Sequence, residues 1–184
     1  MKIRDIVTTV AEELGLTAVI SYLQGVSNTS GETETNNLVR CYNLVEGELA
    51  VDYLPLYAED EIWTDTGAVF YTELSKKAVR IVAVTDENGN GVPYKIFPEY
   101  LKAQAGKICV RYSYVPTEKG LEEDSDYQLL ACKHMLVYGV ATEYCLATGL
   151  FEEAEVWEKK YRRAVKNAYK SKPSVVMHTR RWAQ

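Results

Sequence analysis

The sequence predicts a mixed α+β fold: a mainly helical body with a C-terminal antiparallel αα-hairpin, a β-rich insertion and an extended C-terminal arm. Three observations predict it. Apolar residues recur at three- and four-residue steps towards both ends of the chain. Between about Glu59 and Val115 they give way to β-branched and aromatic runs broken by turn residues. After Pro173 the periodicity stops. The divisions expected are N-terminal helices over 1–58, the β-rich insertion over 59–116 and the hairpin over 117–171. The hairpin forms one body with 1–58, and an arm occupies 172–184. A chain of 184 residues suffices for one good core with appendages.

Ile3, Ile6, Val7, Val10 and Leu14 make a short amphipathic helix ended by Gly15. Ala18 to Leu23 is apolar and β-branched but too short to separate helix from strand. Gly25 to Thr35 is polar and reads as a loop. A second helix carries Leu38, Cys41, Tyr42, Val45, Leu49 and Tyr53 on one face and stops at Pro55, which has no N–H to donate.

Ala68 to Thr72 and Val79 to Thr85 read as strands. Asp86 to Gly91 supplies residues that tolerate positive φ, so Val92 to Phe97 is expected to return as the second strand of a hairpin. Lys107 to Val115 alternates. Ile108, Val110, Tyr112 and Tyr114 share one face, and Cys109, Arg111 and Ser113 share the other, as in a sheet with one buried side.

An acidic loop (Glu118, Glu122, Glu123, Asp124, Asp126) precedes the strongest helical signal. From Tyr127 to Thr142 only Lys133 and His134 interrupt an apolar run that includes Leu129, Leu130, Cys132, Leu136, Val137, Val140 and Ala141. Such a helix is central to the core or covered by another subunit. Gly149 ends it with a tight turn. The last helix, Leu150 to about Lys170, buries Leu150, Ala154, Trp157, Tyr161, Ala164, Val165 and Ala168. Its acids Glu152, Glu153 and Glu155 stand at the N-terminal end, and Lys166 and Lys170 at the other, as the helix dipole favours. Glu155/Lys159 and Glu158/Arg162 are i,i+4 pairs.

Composition narrows the function classes. The formal net charge is −5, which disfavours binding DNA through its phosphates. Tyrosine is abundant, 14 against 3 Phe and 3 Trp, and suits surfaces buried only on assembly. The N-terminus lacks the apolar core of a signal peptide and no run reaches transmembrane length, so a soluble, intracellular protein is expected. Cys41, Cys109, Cys132 and Cys145 have no CxxC spacing and read as reduced thiols.

Catalytic signatures are not found. His134 and His178 have no ligand-spaced neighbours, and His134 is read as a core or capping histidine. There is no nucleophile elbow and no phosphate loop, and Gly89 to Gly91 is a turn signal. Glu59-Asp60-Glu61 and Glu122-Glu123-Asp124 are read as solvated acids, or as a wall that repels a passing phosphate backbone. No catalytic residue, metal ligand or cofactor is assigned. The candidate site is the tail, where Val175, Val176, Met177, Arg180, Arg181 and Trp182 have the composition of an interface.

Three stretches carry a resemblance. They are LVRCYNLVEGELAVDYLPLYAEDE (Leu38 to Glu61), VRYSYVPTEKGLEEDSDY (Val110 to Tyr127) and VYGVATEYCLATGLFEEAEVWEKKYRRAV (Val137 to Val165). With the tail SKPSVVMHTRRW, they resemble the head–tail connector (adaptor, or head-completion) proteins of tailed bacteriophages. The resemblance implies a virion structural protein at the head–tail junction, synthesised in the bacterial host cytoplasm and acting without catalysis. It implies a ring, often of twelve copies, beneath the portal, through which DNA passes without specific binding. The implied partners are the portal protein, copies of the chain itself and the next tail or head-completion protein, with no membrane. Many such proteins stay monomeric until the portal templates the ring. Val175 to Trp182 would be the portal-facing arm and the hairpin part of the subunit seam. The β segment would face the tail side or the next subunit. Two other classes remain open: an enzyme subunit of host or prophage with an unrecognised carboxylate site, and a monomeric protein-binding module.

Overall fold

The computed structural model describes residues 1–170; the expected arm, with Val175, Val176, Met177, Arg180, Arg181 and Trp182, lies outside the described residues. The fold is mixed α+β. The helices are α1 (Ile3–Glu13), α2 (Thr17–Leu23), α3 (Thr29–Glu48), α4 (Leu130–Thr148) and α5 (Phe151–Lys170). Between α3 and α4 lie β1 (Leu56–Thr64), β2 (Ala68–Phe70), β3 (Ala78–Asp86), β4 (Lys95–Ile96), β5 (Tyr100–Lys102) and β6 (Gly106–Tyr114).

Two hydrophobic clusters form. The helical one gathers the predicted stripes: Ile3, Ile6, Val7 and Val10 from α1, Leu38, Tyr42 and Val45 from α3, Leu136 and Val140 from α4, and Trp157, Tyr161 and Val165 from α5. The smaller cluster lies among the strands, with Val69, Val84, Leu101, Ile108, Val110 and Tyr112 buried. The alternation expected in Lys107 to Val115 is present, with Ile108, Val110 and Tyr112 inward. The apolar helix α4 is central, packed against α1, α3 and α5.

Several elements depart from expectation. The polar loop expected over Gly25 to Thr35 is helical from Thr29, because the Asn28 side chain accepts from the N–H groups of Ser30 (3.0 Å) and Gly31 (3.3 Å) and starts α3. Gly31 lets this polar turn lie on α2, since a Cβ there would stand 2.3 Å from the Ala18 carbonyl oxygen. Ala18 to Leu23 is helix. The second predicted helix ends in a π-turn over Leu49–Tyr53, with Leu54 N donating to Leu49 O at 2.6 Å.

The expected β-hairpin forms only at its turn. Asp86 accepts from Asn88 N (2.9 Å) and Asn90 N (2.8 Å), Gly89 has φ +79°, and Val92 N reaches Val84 O at 2.8 Å. Pro93 then has no N–H to extend the ladder. The chain leaves, and Lys95–Ile96 pairs instead with β5 in a second sheet of order β2-β5-β4. The true partner of β3 is β6, in a sheet of order β1-β6-β3 that is antiparallel throughout. β3 is an edge strand with two register shifts, which leave Val79 and Val82 as extra, exposed residues.

Candidate functional site

The body is locked by a buried carboxylate. Glu46 lies on the inward stripe of α3, 1 % exposed. Its Oε1 accepts from Tyr42 Oη (2.5 Å), Ser125 Oγ (2.9 Å) and the Asp126 N–H (2.9 Å). Its Oε2 takes Lys119 Nζ at 2.8 Å, and the same ammonium stands 3.2 Å from Asp126 Oδ1. Asn43, one residue after Tyr42, grips the Lys119 backbone in both directions, accepting from its N–H (2.9 Å) and donating to its carbonyl (3.0 Å). Burial, reinforced by the bond to Glu46, raises the pKa of the Tyr42 phenol. These bonds fasten the segment between β6 and α4 onto α3.

Glu122, Glu123 and Asp124 are solvated, as expected, and each also has a partner. Arg4 Nε donates to Glu122 Oε1 at 2.8 Å, Glu123 Oε2 accepts from the Gly120 N–H at 2.5 Å, and Asp124 lies 3.3 Å from the Met1 ammonium. The carbonyls of Glu123 and Leu121 accept from Ile3 N (3.1 Å) and Arg4 N (3.0 Å), which satisfies donors that the first turn of α1 leaves open.

Glu59, Asp60 and Glu61 are not in a loop; they occupy β1. Glu59 and Glu61 face out and pair with Arg111 (3.4 Å) and Lys107 (2.7 Å) of β6. Asp60 accepts from Ser75 N, Ser75 Oγ and Tyr112 Oη, all at 2.7 Å. Glu59, Glu61, Glu122 and Asp124 keep most of their side-chain surface in solvent while making these pairs.

Several large apolar side chains also stand uncovered. The α4–α5 turn carries exposed Leu146, Leu150 and Phe151, the last 68 % exposed. Leu150, expected on the buried stripe, is at the surface because Gly149 (φ +79°) turns the chain before α5 begins. On the small sheet, Phe97 stacks on Tyr100 at 4.8 Å and Phe70 leans on the same ring at 5.6 Å, with Ile96 exposed beside them. Trp63 at the end of β1 is 67 % exposed.

His134 is neither core nor cap. It is exposed on α4, its ring stacked on Tyr138 at 5.8 Å, and with Tyr138 it lines a groove against Lys160 and Arg163 of α5. The i,i+4 pairs expected on α5 are present, Glu155–Lys159 at 2.6 Å and Glu158–Arg162 at 2.5 Å. Cys41, Cys132 and Cys145 are buried, and all four cysteines are free thiols.

Among the described residues no cluster of three His, Cys, Asp or Glu could hold a metal, and no buried side-chain nitrogen or oxygen lacks a partner. No described helix is long and apolar enough to cross a membrane. The sequence reading missed the Glu46–Lys119 lock, the exposed hairpin turn and the His134 groove. One signal for the lock was present: Glu46 stands on the stripe of Tyr42, Val45 and Leu49, where a charge needs a buried partner.

Fold and surface together define a mixed α+β protein with a closed polar interior and open apolar patches. No family model matches the chain, and no curated protein is significantly similar to it.

Proposed function

We propose that this chain is a structural protein of a tailed-phage virion, a head–tail connector that assembles as a ring beneath the portal and works without catalysis. The observation that carries the reading is the apolar area a single copy leaves in water. Exposed apolar side chains gather at the α4–α5 turn (Leu146, Leu150, Phe151) and on the small sheet (Phe70, Ile96, Phe97), with Trp63 exposed at the end of β1. Contiguous apolar patches of this kind mark surfaces that another molecule covers. A ring subunit needs more than one, since each copy meets two neighbours and further proteins above and below.

The resemblance of the three stretches supports the same reading, and they meet in the body. Glu46 of the first binds Lys119 of the second, and Glu48 of the first accepts from Tyr161 Oη of the third at 3.3 Å. The formal charge of −5 suits a channel that must release a phosphate backbone. In this reading the arm, Val175 to Trp182, clips into the portal through its apolar residues and its two arginines.

The test mixes the full chain with a portal ring and counts bound subunits by electron microscopy, with and without Lys172 to Gln184. A ring of discrete copy number on the portal, lost on truncation, is the expected result. Binding that survives truncation overturns the role of the arm, and no binding by the full chain overturns the connector reading.

A further inference from the structure

Resting on the ring reading above, we infer that the groove between α4 and α5 receives the α4–α5 turn of a second copy of this chain. The groove has a volume of about 520 Å³. It is lined by His134 and Tyr138 of α4 and by Lys160, Arg163, Ala164 and Ala168 of α5. Its character is apolar with a cationic rim. Lys160 Nζ lies 3.7 Å from the Trp157 ring centroid and 5.8 Å from that of Tyr138, so one cation covers two aromatic faces. Neither Lys160 nor Arg163 forms an ion pair among the described residues, although Lys159 and Arg162 beside them do.

The occupant must therefore bring carboxylates next to apolar bulk. The chain's own turn does so: Leu146, Leu150 and Phe151 are exposed, and Glu152 and Glu153 follow at once in the first turn of α5. Neither acid forms an ion pair among the described residues. The charges complement one another, two cations against two acids, and each set flanks apolar side chains. The basic residues Lys172, Arg180 and Arg181 make the chain's own C-terminal segment the wrong sign for the same groove.

A copy cannot fill its own groove with its own turn. About eleven residues of α4 separate Tyr138 from Gly149, roughly 16 Å at 1.5 Å per residue, and the helix between is rigid. Patch and counter-patch at separate places on one molecule give a head-to-tail contact, which closes into a ring when the rotation per copy permits. The turn would then anchor Phe151 over the aromatic floor while Glu152 and Glu153 meet Lys160 and Arg163, a small apolar anchor with a charged rim.

The experiment uses two charge-reversed full chains, one carrying Lys160→Glu and Arg163→Glu, the other Glu152→Lys and Glu153→Lys. All four positions are exposed, and circular dichroism verifies folding. Each variant alone should self-associate at least about tenfold more weakly than the parent, read by sedimentation equilibrium. The equimolar mixture should recover association, because every turn then meets a groove of opposite sign. A photoreactive residue in place of Phe151, in a mixture of light and heavy isotope copies, should cross-link between copies into 134–138 or 160–168. Parent-like association by both variants, a mixture that fails to recover, or cross-links elsewhere overturns the inference, and so does a parent chain that self-associates neither free nor on a portal ring. Capture by the groove of an acidic peptide from another protein, without contact between copies, overturns it too. Rings that still form on the portal with both variants refute this seam and leave the connector reading standing. Recovery in the mixture without portal binding does the reverse.

Discussion

Lys119 places its ammonium 2.8 Å from the Glu46 carboxylate across 73 residues of sequence, with both side chains out of water. Taking two charges from water is costly, and the pair is favourable only because the remaining lone pairs are also met. Here Glu46 Oε1 receives three donors and Lys119 has a second carboxylate in Asp126. Lys119→Met strands the carboxylate and should lower stability by about 3 kcal/mol, read as a drop in the urea midpoint. Lys159→Met breaks the exposed pair with Glu155 and should leave the urea midpoint nearly unchanged. Equal losses from the two variants would show that the buried pair has no special weight.

Gly139 should tolerate no side chain. It sits where α4 crosses α3 and α5, and a Cβ there would stand 2.5 Å from Val45 Cγ1 and 3.1 Å from Tyr161 Cε2. Gly139→Ala gains helix propensity but overpacks the crossing, for a net loss of about 1–3 kcal/mol. Gly47 on α3 has open space around its Cβ position. Gly47→Ala should therefore be neutral or stabilising by up to about 1 kcal/mol. Thermal melts of the pair decide the matter: opposite signs are expected, and stabilisation by both would refute the close crossing.

Thiol reactivity should sort by burial. Burial pushes the Cys41 thiol up to about 11 and also raises Cys109, Cys132 and Cys145. The nucleophile is the thiolate, so both low acidity and lack of access slow the reaction. Cys109 is the partly exposed one. In the native protein a thiol reagent at neutral pH should modify Cys109 first, and the other three only on unfolding. Peptide mapping after brief labelling checks this, and early modification of Cys132 or Cys145 would contradict the packing of α4.

The helical body was legible in the sequence because its stripes are long and regular. Ile3 to Leu14, Leu38 to Val45 and Ala154 to Val165 each repeat over several turns, and each is buried where the period places it. Other parts were hidden for physical reasons. The start of α3 depends on one Asn28 cap and on a close approach at Gly31, neither of which shows in apolar spacing. The partner of β3 is set by Pro93, whose missing N–H redirects a chain that the turn residues had pointed back. The Glu59–Asp60–Glu61 run looks like a loop when counted as charge. It is a strand because the two outer acids face cations of β6 and the middle one points the other way. Leu150 falls on the buried stripe by periodicity but stands at the surface, because the Gly149 turn lifts it out before α5 begins.

Asp60 should make the sheet acid-sensitive, and Tyr112 should set by how much. Burial works to raise the Asp60 pKa, but donation from the Ser75 backbone, Tyr112 and the Ser75 hydroxyl outweighs it and holds the carboxyl below its ordinary value. A carboxyl with a depressed folded pKa contributes stability that is complete above its unfolded value, about 3.9, and fades as pH falls through the folded one. The stability difference between the parent and Asp60→Asn should therefore be constant near neutrality and shrink below about pH 4. Tyr112→Phe removes one donor and leaves the ring in place, so the Asp60 carboxyl should titrate higher, read from its carbon shift by NMR. Asp86 is the internal control, since its own depression comes from Asn90 and Asn88 at the far end of β3. An Asp60 midpoint that stays put in Tyr112→Phe, or an Asp86 midpoint that moves with it, would show that the Tyr112 hydroxyl is not what tunes this carboxylate.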